Sequence, residues 1–239
     1  MTRTFLTAEW RYLAMLNYEV DPEVLQRYLP KGTELDDFGG RHFVSLVAFL
    51  FLGTHVLTLP AFFHQNFEEV NLRFYVRRMV GTESRAGVVF IRELVPLPLV
   101  AEIAKLTYNE PYRTVPMRHT IVDTSGELQS VEYMFGAGRD QCRLAVHVDG
   151  PAQAMASGSA EEFLSERGWG YTRQRDGRTI EYRVEHARWN VWPDARWELE
   201  GPLGEFYHEP FPSILSGAPG SAFIADGSAV AVHLPERIA

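Results

Sequence analysis

The chain has 239 residues, 46% hydrophobic and 23% charged, a globular balance that sets aside intrinsic disorder, collagen-like repeats and a polytopic membrane protein. Its 31 acidic against 23 basic residues give a formal charge of -8, the wrong sign for a surface that neutralises many phosphates or docks on an anionic leaflet. A single cysteine, Cys142, can neither close an internal disulfide nor build a multi-cysteine zinc site, and it fits a reducing compartment.

At the N-terminus, Arg3 and Glu9 leave no room between them for the apolar stretch of a secretory signal, so a cytoplasmic location is expected. Asp21 can cap a short helix with Pro22 at its first position and Pro30 ending it. Lys31, between Pro30 and Gly32, reads as a solvated amine in a turn. Residues 43–67 contain no Asp, Glu, Lys or Arg and must be weighed as a membrane span. Gly53, His55, Thr58 and Pro60 interrupt them, however, and the first half is rich in β-branched and aromatic residues. A fully buried strand followed by an apolar loop is therefore expected.

In the next segment Val70, Leu72, Phe74 and Val76 alternate with Asn71, Arg73, Tyr75 and Arg77, the period of a strand. Similar runs cover 87–94, 114–122, 129–135, 142–148, 179–191 and 222–234. A helix is predicted over about 97–108, with Lys105 on a polar stripe pairing at the surface with Glu102, and Leu99, Val100, Ile103, Leu106 and Thr107 on the other side. Residues 151–159 read as a surface loop, and Ser159 with Glu162 as the capping box of a further short helix. Ser125-Gly126, Asp176-Gly177 and Asp226-Gly227 tolerate positive φ, so the runs flanking each are expected to form antiparallel hairpins. With no internal repeat and no long linker, a single domain over 1–239 of mainly antiparallel β architecture follows, closed or doubly layered.

The common catalytic and nucleotide-binding fingerprints are missing, so no cofactor is expected. The nearest ligand-like spacing, His147 with Asp149, lacks a third member, so no metal site is expected. Cys142 opens an apolar strand and reads as a small buried hydrophobe. Of the 23 basic residues 21 are arginine, leaving only Lys31 and Lys105. A desolvated Lys105 could attack a ketone to form an imine, but no second cation nearby would lower its pKa, and the surface pair is the better reading. The strand at 67–78 says more. If it lines a barrel, Glu69, Asn71, Arg73 and Tyr75 face an enclosed lumen, with Arg73 as bidentate partner of a carboxylate and Asn71 or Tyr75 fixing orientation.

The run from Phe67 through Asn71, Arg73 and Tyr75 to Arg77, with Gly87-Val88-Val89-Phe90 and Pro111-Tyr112-Arg113, resembles the YqjF-like family of uncharacterised bacterial proteins. The early Leu25-x-x-Tyr28-Leu29-Pro30 and late Phe223-x-Ala225-Asp226-Gly227 are similar too, so the likeness spans most of the chain. Where relatives often read His-Pro-Pro-Trp, this chain departs with His186-Ala187-Arg188-Trp189. That family is similar in turn to the acetoacetate decarboxylase superfamily. The resemblance implies an α+β, mainly β fold: an acetoacetate-decarboxylase-like antiparallel β-barrel or cone with surrounding strands and a few short helices. It also places the imine-forming lysine position on Tyr112, the second lysine position on Arg113, the arginine of a Gly-Arg-Glu stretch on Lys105, and the pocket's acidic residue on Glu69. A phenol cannot form a Schiff base, so fold and cavity carry over and the decarboxylation does not.

Two functions are expected to compete. One is a binding module whose ligand site is Glu69, Asn71, Arg73, Tyr75, Tyr112 and Arg113, holding a small carboxylate or ketone-bearing metabolite. The other is a decarboxylase-like or other lyase or isomerase enzyme of the same shape acting on a small enolisable carboxylate, in which Tyr112 or Glu69 is general acid or base and Arg113 or Arg73 stabilises negative charge, with Lys105 as imine former in one variant. No catalytic residue is assigned. The expected partner is a small molecule, with neither nucleic acid nor membrane; a homo-oligomer is left open, as is a plain oligomeric scaffold in which the polar strand face meets solvent.

Overall fold

The computed structural model describes residues 3–57, 59–60 and 65–238. The long strand β1 (Thr4–Val20) leads through helix α1 (Pro22–Gln26) to β2 (Glu34–Leu35), β3 (His42–Val56) and β4 (Leu59–Pro60), then to β5 (Phe67–Val80) and β6 (Glu83–Val95). Helix α2 (Pro98–Tyr108) is followed by β7 (Tyr112–Thr114), β8 (Met117–Thr124), β9 (Glu127–Phe135) and β10 (Cys142–His147). After β11 (Gln153–Ala154) and α3 (Ala160–Ser165) come β12 (Trp169–Arg173), β13 (Thr179–His186), β14 (Asn190–Trp192) and β15 (Arg196–Glu200). Helix α4 (Phe211–Leu215) precedes β16 (Ser221–His233) and β17 (Glu236–Arg237).

The strands β1, β3, β5 and β6 pair antiparallel in that order. β6 continues to β12 in parallel, β12 pairs with β13, and β13 reaches β16, which pairs back to β1. The ring is closed, which hides its strand edges. A second sheet, ordered β15-β10-β9-β8, covers part of its outside. Alternation along β5 serves both layers: Val70, Leu72, Phe74 and Val76 join Val131, Tyr133, Phe135, Leu144 and Val146 in an outer core, while Phe67 and Tyr75 join Leu13, Met15, Val47 and Phe49 inside the ring. Both faces of β5 are buried over 69–76, so Glu69, Asn71 and Arg73 lie inside rather than in water.

The helix signals act locally as expected. Asp21 accepts from the Glu23 N–H at 2.9 Å, and Ser159 accepts from the Glu162 N–H at 3.2 Å. The Glu162 carboxylate turns to the Gly158 N–H at 2.5 Å instead of closing a capping box on Ser159. Helix α2 ends on left-handed Asn109 at φ 57. Ser125 and Gly126, at φ 58 and 85, make the tight turn between β8 and β9, and Gly177 at φ 81 turns β12 into β13.

Three expectations need correction. Asp226-Gly227 is no hairpin: β16 runs straight through it, and Gly227 (φ 84) pairs with Arg11 beside the bulge that β1 makes against β3, where Tyr12 also has φ 55. The run at 114–122 breaks at Pro116, which has no N–H for a ladder, so the chain leaves the barrel after β7 and enters the second sheet at β8. The run at 179–191 likewise divides into β13 and β14. Residues 43–56 do form a buried strand; of the apolar loop expected beyond it, 58 and 61–64 lie outside the described residues. Among the described residues no helix is long and apolar enough to cross a membrane.

Candidate functional site

The ring holds a partly open cavity of about 290 Å³. Side chains two apart on one strand share a face, so β5 sends Phe67, Glu69, Asn71 and Arg73 into it in succession. The neighbouring strand adds an acid by an irregularity. Leu72 faces Arg92 while Arg73 faces Phe90, so Ile91 is an extra residue, and the bulge lets Phe90 and Glu93 both point inward though three apart. Glu93 lies in register with Asn71 on one side and with Tyr112 on the other. Glu110, in the bend between α2 and β7, completes the group from above.

These polar groups are buried and bonded chiefly to one another. Glu69, Asn71, Glu93 and Glu110 are each 5% exposed or less. The Glu69 carboxylate accepts from Asn71 Nδ2 at 3.0 Å and from the Tyr112 hydroxyl at 3.0 Å. Glu110 accepts from the Thr172 and Tyr182 hydroxyls, the latter at 2.9 Å. Tyr182 can lie there because Gly170 has no side chain: a Cβ would meet its ring at 2.1 Å. Burial pushes the Glu69 carboxyl up to about 7 against the pull of its donors and of Arg73. Burial, with Glu110 and Glu69 nearby, raises Glu93 well above the carboxylate range, and burial lifts Glu110 to about 8 despite its two hydroxyl donors. The Tyr112 and Tyr182 phenols are also raised, by burial first and then by the carboxylates, and stay protonated donors.

Two guanidinium groups line the cavity, and Arg73 is the one without an acidic partner among the described residues. Its Nη2 donates to the Leu164 carbonyl at 3.1 Å, and no carboxylate among the described residues lies within ion-pair distance of it. Arg167, the second guanidinium lining the space, is held by Asp36 at 2.5 Å. Several buried polar atoms on the wall have no partner among the described residues: Asn71 Oδ1, Arg73 Nε, Glu93 Oε2, Glu110 Oε2 and Ser165 Oγ. Such atoms are costly to bury unmatched, and their gathering round one cavity marks where a polar ligand would be recognised.

Much of the remaining wall is aromatic. Trp10 meets Phe49, Phe51 and Trp189 edge-on at 5.4, 5.8 and 6.4 Å, Phe51 stacks on Phe67 at 4.6 Å, and His186 stacks on Trp189 at 4.3 Å. Helix α2 closes one side with Val100, Ile103 and Ala104, leaving Leu106 85% exposed.

Of the residues expected to bind ligand, Glu69, Asn71, Arg73 and Tyr112 are brought together here. Two are not. Tyr75 is buried beyond the cavity, its hydroxyl 2.6 Å from Ser45 Oγ and its ring under Arg167. Arg113 is exposed because alternation on β7 turns it opposite to Tyr112; it bonds the Glu205 carbonyl and lies over Phe206. Glu93, Glu110, Arg167 and Tyr182 were not anticipated. Only a break in alternation near Ile91 could have flagged Glu93, and nothing local marks the others. Neither lysine lines the cavity: Lys31 is exposed, and Lys105 bonds Glu102 at 2.7 Å on the outside. Cys142 is fully buried, its thiol pushed up to about 12. His147 and Asp149 pair separately with Glu198 and Arg196, and no group of three or more His, Cys, Asp or Glu among the described residues could hold a metal.

Residues 7–229 match the family model DUF2071, described as an uncharacterized conserved protein. No curated protein matches the chain. Among solved structures, acetoacetate decarboxylase from Legionella pneumophila subsp. pneumophila str. Philadelphia 1 aligns at 12% identity over 99% of this chain and 88% of that one, with a TM-score of 0.66. An acetoacetate decarboxylase-like enzyme from Sphingomonas wittichii RW1 aligns at 15% over 98% and 92%, also at 0.66. The enduracididine biosynthesis enzyme MppR, solved with HEPES and with pyruvate bound, aligns in its HEPES form at 13% over 100% and 89%, at 0.67. At such identities the likeness is one of fold, and the fold is the one expected from the sequence.

Proposed function

The chain belongs to the DUF2071 family of uncharacterized conserved proteins, and from its cavity we propose that it binds a small organic acid, with or without a ketone, whose apolar body lies on the aromatic wall and whose carboxylate meets Arg73. The observation that carries this reading is a buried guanidinium with no carboxylate partner among the described residues, set in a mostly apolar cavity. A buried charge needs a counter-ion, and a guanidinium takes a carboxylate bidentately. At about 290 Å³ the space lies at the small end of ligand pockets, too roomy for a two-carbon acid alone and suited to one carrying an aryl or branched alkyl group. The binding proceeds without a Schiff base, because the position matched to the imine-forming lysine is Tyr112 and both lysines lie outside. The finer likeness to YqjF-like proteins, carried by the Phe67 to Arg77 run, belongs to the same reading.

Thermal denaturation with and without phenylpyruvate or phenylacetate tests it. At 100 times Kd a ligand stabilises by about 2.7 kcal/mol, which for a chain of this size raises Tm by roughly 5–10 °C. Arg73→Ala should remove that rise. A rise that survives the substitution would mean that the acid binds elsewhere.

A further inference from the structure

We propose that Glu69, Tyr112 and Glu93 form a proton relay that interconverts the keto and enol forms of an oxo acid held at Arg73. The inference rests on the binding reading and adds a reaction to it. Tyr112 lies against both acids: its hydroxyl donates to Glu69 Oε2 at 3.0 Å, its backbone is in parallel register with Glu93, and its side chain interacts with that of Glu93. Glu93 also sits opposite Asn71, two residues along β5 from Glu69, so both carboxyls border the same stretch of cavity. Both Glu93 and Asn71 line the cavity, and Glu93 Oε2 and Asn71 Oδ1 are buried and unpartnered among the described residues. Along β5 the polar run Arg73, Asn71, Glu69 ends at Phe67, so the charged and apolar ends of the cavity lie in the same order as the carboxylate and the apolar tail of such an acid.

The step balances with no co-reactant. The Glu69 carboxylate takes a proton from the carbon next to the carbonyl, and the C–H electron pair becomes the new C=C bond. The carbonyl oxygen takes the proton of the Glu93 carboxyl, so a neutral enol forms and the charge moves from Glu69 to Glu93. Glu69 then gives its proton to the Tyr112 oxygen as Tyr112 passes its own to Glu93, restoring the start. Burial supports the assignment: Glu93, raised well above the carboxylate range, holds its proton at neutral pH, while Glu69 near 7 can act as base.

The test follows deuterium entry by NMR at the carbon beside the carbonyl of phenylpyruvate and 2-oxo-4-phenylbutanoate in D2O, with thermal shift measured on the same samples. Exchange should exceed the uncatalysed rate by at least about 100-fold. Glu69→Gln should remove that excess, and Tyr112→Phe, which keeps the ring, should lower it at least tenfold, both with the thermal shift retained. Lys105→Ala should change nothing. The rate should rise as pH passes about 7, where Glu69 loses its proton. A thermal shift without exchange overturns the relay and leaves the binding reading standing; neither shift nor exchange overturns both. Exchange that survives Glu69→Gln and Tyr112→Phe, or that needs Lys105, also overturns the relay.

Discussion

Glu110 carries a carboxyl into a site where burial outweighs the bonds from Thr172 and Tyr182, and its pKa rises from 4.5 to about 8. Between those values the folded chain keeps a proton that the unfolded chain has released, so stability falls as pH rises from 4.5 to about 8 and then levels off. Glu69, raised to about 7, adds to the same slope. Glu110→Gln keeps the shape without the charge, so urea unfolding at pH 5 and 8.5 should show a smaller loss at the higher pH than in the parent. An unchanged difference would place the titration elsewhere. At this scale the sequence was legible where alternation was strict. Glu69, Asn71 and Arg73 could be placed on one face because β5 has no break between them, whereas Glu93 was hidden by the extra residue at Ile91, and Glu110 by its place in a bend with no period. Arg113 was misplaced because two adjacent strand residues cannot share a face, and Tyr112 has the inner one.

The elements show how bulges set the cavity. Trp10 and Leu13 in β1 both join the inner cluster although three apart, because the chain steps outward at Tyr12. Across the ladder Gly227 allows that step: a Cβ there would lie 2.0 Å from the Trp10 carbonyl oxygen, and its φ of 84 suits glycine. Gly227→Ala should therefore destabilise by about 2–4 kcal/mol, read as a lowered urea midpoint. A cost below roughly 1 kcal/mol would show that the ladder shifts easily and the bulge is not a fixed support. The dipeptide Asp226-Gly227 reads like a turn because glycine after aspartate signals positive φ; the signal is real, but a bulge in the partner strand uses it. Ser125-Gly126 was legible because both its residues take positive φ between two short antiparallel runs.

Across the whole molecule, β5 is buried on both sides, the outer face beneath the second sheet and the inner one around the cavity. The period-two pattern of its sequence suggests one wet face, and only the closing of the ring through β13 and β16, between residues far apart in the chain, makes the polar face internal. Asp36 illustrates the same long reach. It follows β2 and bonds Arg77 of β5 at 3.2 Å and Arg167, just past α3, at 2.5 Å. With Asp36 in place, the hollow holds a single spare positive charge, that of Arg73. Asp36→Asn would strand a second guanidinium there, weakening the fold by about 3–5 kcal/mol as an uncompensated ion. A guest with two negative ends should then restore part of that loss and raise Tm more than a singly charged one, reversing the parent's order. One carboxylate outside the cavity would thereby count the charges admitted within it.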